Sequence, residues 1–219
     1  MGTYQQAFRP RELAFLARLD SPVRIQAFLD SIPYSSDDFN RCPQRVLRER
    51  IANCFDGALF AAAALGRLGH RPLIVDLFAD DDDDHLLALF QRRGRWGAVA
   101  KSNFVGLRYR EPVYRSLREL VMSYFDGYFN LNRHRTLRSY TVPLDLSQYD
   151  RWKWMGSDEA LERIANRTER LRRFPLVTPH MVAGLSPVDH RSYEAGMLGV
   201  EHAGLYKPAS AGRRARSAR

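Results

Sequence analysis

The chain has 219 residues, 45% of them hydrophobic, and a formal net charge of +9. That length supports one domain with a sizeable core, and the composition is that of a globular protein. No apolar run is long enough to cross a bilayer, the first residues lack a signal-peptide core, and two cysteines do not make a disulfide framework, so cytoplasm is the expected compartment.

In chain order, Pro10 to Arg18 and Pro22 to Ile32 read as short helices. Ser21 and Pro22 start the second, and Ile25, Phe28, Leu29 and Ile32 follow helical spacing. Tyr34 to Cys42 reads as a loop and Pro43 to Arg50 as another helix. Asn53 is a good N-cap for the apolar stretch that ends near Leu68, and Asp56 completes a capping arrangement. Because this helix is apolar all round, it should be buried, with Cys54 in its first turn where the dipole favours a thiolate.

Arg71 to Phe78 reads as a strand, followed by five consecutive aspartates, Asp80 to Asp84. His85 to Phe90 and Trp96 to Asn103 read as two further strands around a turn at Arg93 and Gly94. With the turn centred there, facing residue numbers sum to 187, so His85 faces Ser102; one residue more in the loop makes the partner Asn103. Lys101 should point the other way. Glu111 to Phe129 reads as the longest helix, with Tyr114, Leu117, Val121, Tyr124, Phe125 and Tyr128 as its core face. Thr136 to Pro143 suggests a strand and Ser157 to Arg172 a helix; from Phe174 onward Pro and Gly predict an irregular wrap. The domain therefore spans residues 1–205, and 206–219, with Arg213, Arg214, Arg216 and Arg219, reads as a disordered basic tail.

A Cys-x-Asp at the head of an apolar helix, then a strand, then a histidine opening a hairpin with a tryptophan on its return, resembles the transglutaminase-like branch of the papain-like cysteine enzymes. The resemblance covers about residues 45 to 105 and rests on Cys54, Asp56, His85 and Trp96. The larger block through Arg108 to Tyr114 is similar to a bacterial group sharing that core. The resemblance implies an α+β fold, helices packed on an antiparallel sheet. It also implies a cysteine-dependent acyl transferase or amide hydrolase acting on a peptide or other amide-bearing substrate, without a cofactor. The family expects an aspartate shortly after the tryptophan. Here Ala100, Lys101, Ser102 and Asn103 follow instead, which makes Asn103 the candidate third member beside Cys54 and His85.

Competing readings bound this one. Without the aspartate, the same fold can serve as a non-catalytic binding module. The five aspartates favour a protonated His85 and suit a divalent cation, but they lack the alternation and glycine of an EF-hand, so a hydrated loop is the plainer reading. Cys54 and His85 are too few ligands for zinc. Arg163, Arg167, Arg170, Arg172 and Arg173 permit an adaptor role on anionic partners, although no nucleic-acid motif accompanies them. Cys42 has no catalytic context.

Overall fold

The computed structural model describes residues 3–206; the basic tail from residue 207 onward lies outside the described residues. The N-terminal part is helical: α1 (Thr3–Ala7), α2 (Pro10–Ala17), α3 (Pro22–Asp30), α4 (Pro43–Glu49) and α5 (Cys54–Arg67). The sheet strands are β1 (Leu73–Ala79), β2 (His85–Arg92), β3 (Arg95–Val99), β4 (Arg110–Tyr114), β5 (Leu137–Thr141), β6 (Leu144–Asp145) and β7 (Arg173–Pro175). Between and after them come α6 (Leu117–Met122), α7 (Leu161–Glu169), α8 (Pro179–Ala183) and α9 (His190–Met197). This is an α+β fold.

All seven strands pair antiparallel in the order β4-β3-β2-β1-β5-β7, with β6 taking the other half of the β1 edge. The β2–β3 register follows from its turn: Arg93 and Gly94 both have positive φ, 52° and 73°, as a tight two-residue hairpin turn requires. Leu89 then faces Ala98 and Ala88 faces Val99, so paired numbers sum to 187 as expected.

Side-chain alternation divides the core into two layers. Ile74, Leu86, Ala88 and Phe90 face α5 and the N-terminal helices, whereas Val75, Leu77, Leu87 and Leu89 pack on Leu120, Val121, Tyr124 and Tyr128. Every residue of α5 from Phe55 to Leu65 is buried, which its all-round apolar sequence requires. Gly57 lets α5 approach β3: a Cβ there would sit 2.2 Å from the Cβ of Lys101. Lys101 runs beneath α5 and donates from Nζ to the carbonyls of Leu29 (2.9 Å) and Ile32 (2.6 Å).

One element differs from the sequence expectation. The stretch Glu111 to Phe129 is not one helix: β4 occupies its start, and α6 begins only after Ser116, whose side chain caps the amide of Glu119. Pro112 sits in β4 at the sheet edge, a place where a strand tolerates a residue that cannot donate. Val121, Tyr124 and Tyr128 are nonetheless core residues. The C-terminal wrap carries the short helices α8 and α9. No helix among the described residues is long and apolar enough to cross a membrane.

Gly57→Ala should cost about 1–3 kcal/mol by overpacking against Lys101. Chemical denaturation with an unchanged m-value and a lower midpoint would bear this out; an unchanged midpoint would refute the close-approach argument.

Candidate active site

The site begins with the cap of α5. The Asn53 side chain accepts from the amide of Asp56 at 2.9 Å, and the Asp56 carboxylate reaches back to the amide of Asn53 at 3.4 Å. This is the reciprocal capping expected from Asn53 and Asp56. Asp56, with no exposed surface, also accepts from the backbone of Arg41 at 2.7 Å, and the Arg41 guanidinium lies 3.8 Å from it. Burial outweighs that cation and raises the Asp56 carboxyl to about 6. Arg41, itself buried, pairs with Glu49 at 2.7 Å and with Asp37, so the 34–42 loop is strapped across the head of α5. That loop delivers Tyr34 to Cys54.

Cys54 is half-buried, and its thiol donates to the carbonyl of Asp84 at 3.8 Å. His85, the next residue, opens β2 and is buried. Cys54 and His85 line one cavity of about 30 Å³, with Tyr34, Asn103, Phe104 and Gly204 in its wall. They reach it from different sides. His85 shares the parity of Leu87 and Leu89 and turns towards Tyr128, with ring centres 6.4 Å apart, whereas Cys54 belongs to the α5 layer. No hydrogen bond joins the two. The His85 Nε2 lies 2.8 Å from the carbonyl of Leu107. Because a carbonyl only accepts, Nε2 carries the hydrogen and Nδ1 is the nitrogen free to take a proton.

The residue that fixes the His85 ring is therefore not the expected one. The β2–β3 ladder ends at Ala88 and Val99, short of His85. Ser102 Oγ accepts from the amide of Phe104 at 3.0 Å. Asn103 lies in the cavity wall, but its amide serves the C-terminal segment: Nδ2 donates to the Glu201 carbonyl at 2.9 Å and Oδ1 accepts from the Glu201 amide at 2.8 Å. The Leu107 carbonyl takes the orienting place, and no side-chain motif announces a backbone acceptor. Tyr34 was equally hidden, since it reaches Cys54 only through the loop strapped by Arg41.

The electrostatics reverse two expectations. Burial, then the negative charge of Asp76, pushes the Cys54 thiol up to about 12, against the helix-terminus argument for a thiolate. His85 is lowered to about 4, chiefly by burial and despite its bond to Leu107, so the ring is neutral at pH 7. The neighbouring aspartates do not offset that burial, and the positive charge of Arg110 lowers the ring further; burial also raises Asp82 to about 6, and Asp83 and Asp84 rise as well. Tyr34 is raised far above the phenol range by burial and by the charges of Cys54 and Asp83, so it stays a donor.

The acidic run is an ordered turn on the surface, with Asp80, Asp83 and Asp84 exposed to solvent as a hydrated loop would be. Thr136 donates to Asp82 at 2.7 Å, Tyr128 to the Asp83 carbonyl at 2.6 Å, and the Ala79 amide to Asp84 at 2.9 Å. Asp81 adopts positive φ, 57°, as the turn requires. Asp76, on β1 beside Leu86, is buried with its Oδ1 unpartnered, and burial raises it to about 7. Neither Gln44 nor Trp96, side chains that could donate to an oxyanion, lines the cavity. Gln44 donates to the carbonyl of Ala7, and Trp96 pairs with Tyr114 in the β3–β4 ladder. Cys42 is buried against the Asp158 side chain, with no role at the site.

No family model and no curated protein matches this chain. Among solved structures, an EGTA-treated form of LapG from Legionella pneumophila is similar over 70% of this chain and 86% of that one, at 12% identity and a TM-score of 0.39. The site is therefore read from this chain's own residues.

Two outcomes follow from the charges. Asp76 has a folded pKa raised above its unfolded value, so its contribution to stability falls as pH rises from about 4 to about 7 and stays low above that. Asp76→Asn should therefore stabilise the fold by about 2–4 kcal/mol at pH 8 and much less at pH 4; equal gains at both pH values in thermal melts would contradict the buried charge. The same variant should speed alkylation of Cys54 at pH 8 severalfold, because it removes an anion that opposes the thiolate. An unchanged rate would show that Asp76 does not act on Cys54.

Proposed function

We propose that the protein is a cysteine-dependent acyl transferase or amide hydrolase of the transglutaminase-like kind, with Cys54 as nucleophile and His85 as base. The observation that carries this reading is the shared cavity. It brings a thiol at a capped, buried helix head and a neutral imidazole with its Nε2 held by a carbonyl to one place. A lone buried cysteine needs no histidine in the same cavity wall.

The two pKa values favour general-base attack over a resting ion pair. Cys54 stays a thiol and His85 stays neutral at pH 7, so the thiol proton passes to Nδ1 of His85 as sulfur attacks the carbonyl carbon. His85 then returns that proton to the leaving amine. Water, or a second amine, takes the acyl group from sulfur to complete hydrolysis or transfer. The Cys54 amide at the head of α5 and the Tyr34 hydroxyl are the donors available to the developing oxyanion. The Leu107 carbonyl holds the ring in the place assigned from the family pattern to Asn103, so the absent aspartate does not by itself argue for a degenerate site.

Cys54→Ser should abolish labelling by an acyl probe and turnover of amide or ester substrates, while changing stability by no more than about 1 kcal/mol. His85→Ala should lower turnover by about 10²–10⁴-fold. With His85 titrating near 4 in the folded state, the rate should rise as pH increases from 3.5 to 5 and then level off. Persistent probe labelling in Cys54→Ser would end the nucleophile assignment; an acid limb centred near 6.5 would end the buried neutral base.

A further inference from the structure

The cavity holding Cys54 has room for about one water, not for an acyl substrate. What closes it is the end of the described chain. Three depressions adjoin one another and share Phe104 in their walls. The first contains Lys101 and Arg108, the second Cys54 and His85, and the third Asp81 and Asp82. Segment Leu198–Tyr206 runs along all three: Leu198, Gly199 and Glu201 line the first, Gly204 the second, and Leu205 and Tyr206 the third.

The attachment of this segment is that of a bound peptide rather than of a core element. The reciprocal backbone pair between Glu201 and the Asn103 amide, at 2.8 and 2.9 Å, grips the main chain independently of its side chain, just where Glu201 caps a single 3-10 turn over His202–Gly204. At the narrow point only a residue without a side chain fits: a Cβ on Gly204 would lie 2.9 Å from the Tyr34 ring. Glu201, His202 and Ala203 are exposed, so little apolar burial holds the segment down. The groove also differs in charge between its ends, with Arg108 at one and Asp81 and Asp82 at the other.

We propose that this groove is a binding site for a polypeptide that makes a single tight turn with glycine at the narrow point beside Tyr34, and that Leu198–Tyr206 fills it here as an intramolecular blocker. The blocking of activity rests on the reading of Cys54 as nucleophile; the peptide site does not. Asn103 then acts as the clamp of the peptide backbone, a role that explains why its amide faces away from His85.

The test is the rate at which a bulky maleimide labels Cys54 in the wild type, Gly204→Val and Glu201→Pro. The first variant places a side chain against Tyr34. The second removes the amide that Asn103 accepts from, at a φ of −78° that proline tolerates. Each variant should label about tenfold faster, the scale expected from losing about one hydrogen bond's worth of grip. A synthetic peptide of residues 198–206 at millimolar concentration should return the rate towards that of the wild type, and the same peptide with valine for Gly204 should not. Wild-type rates in both variants, or an increase that the glycine peptide fails to reverse, would overturn the proposal; equal protection by both peptides would overturn its glycine requirement. Should a variant fold poorly, the wild type supplies a second measure: exchange at the Glu201 amide and labelling of Cys54 should rise together in urea well below global unfolding, and uncoupled rises would refute the blocker. If Cys54→Ser proves fully active, the enzyme reading fails while these results keep their meaning, since none depends on turnover.

Discussion

The structure depends on a carboxyl group that water does not reach. Asp56 closes the cap of α5 through Asn53, binds the Arg41 backbone and faces the Arg41 guanidinium. Through that arginine it draws Asp37 and Glu49 to the same point. Removing Arg41 leaves Asp56 buried without its cation, which costs more than the pair contributes, while Glu49 keeps Arg45 and Asp37 keeps Ser35. The service of Asp56 to the site is positional. The cap sets where α5 begins and hence where Cys54 sits, while the arginine strap sets where Tyr34 lies. Both sides of the thiol are thus fixed by one buried acid.

The second organising feature is the start of β2. Asp84 presents its carbonyl to Cys54, and His85 turns towards Tyr128 and Leu107. Two consecutive residues thereby serve the two core layers at the end of the sheet. The ordered turn from Asp80 to Asp84 makes this possible, because its bonds from Thr136, Tyr128 and Ala79 hold the strand entry from outside the ladder. An acidic, solvated loop thus also serves as a bracket.

What the sequence made legible was local. The cap of α5 announces itself in Asn53 and Asp56, and the hairpin register follows from Arg93 and Gly94. Features that escaped are set by distance along the chain. Asp76 raises the Cys54 thiol from a strand 22 positions later, and no reading of the helix head alone can count that charge. The Asn103–Glu201 pair spans 98 positions. Leu107 acts through its carbonyl, which every residue possesses. The β4–α6 region was misjudged for a different reason: its apolar spacing suits a helix, but Pro112 and the Ser116 cap divide it, and the open edge of β3 recruits its first half.

The prolines on the sheet have a consequence beyond their own strands. The outermost strands are β4 and β7, and each contains one, Pro112 and Pro175, while Pro143 directly precedes the two-residue β6. A strand arriving from another molecule needs a run of amide hydrogens along the rim it joins, and every proline leaves a gap in that run. The sheet is thus finished at its borders as well as at its faces: a core this rich in alanine, leucine and phenylalanine is kept from templating its own growth into a fibre.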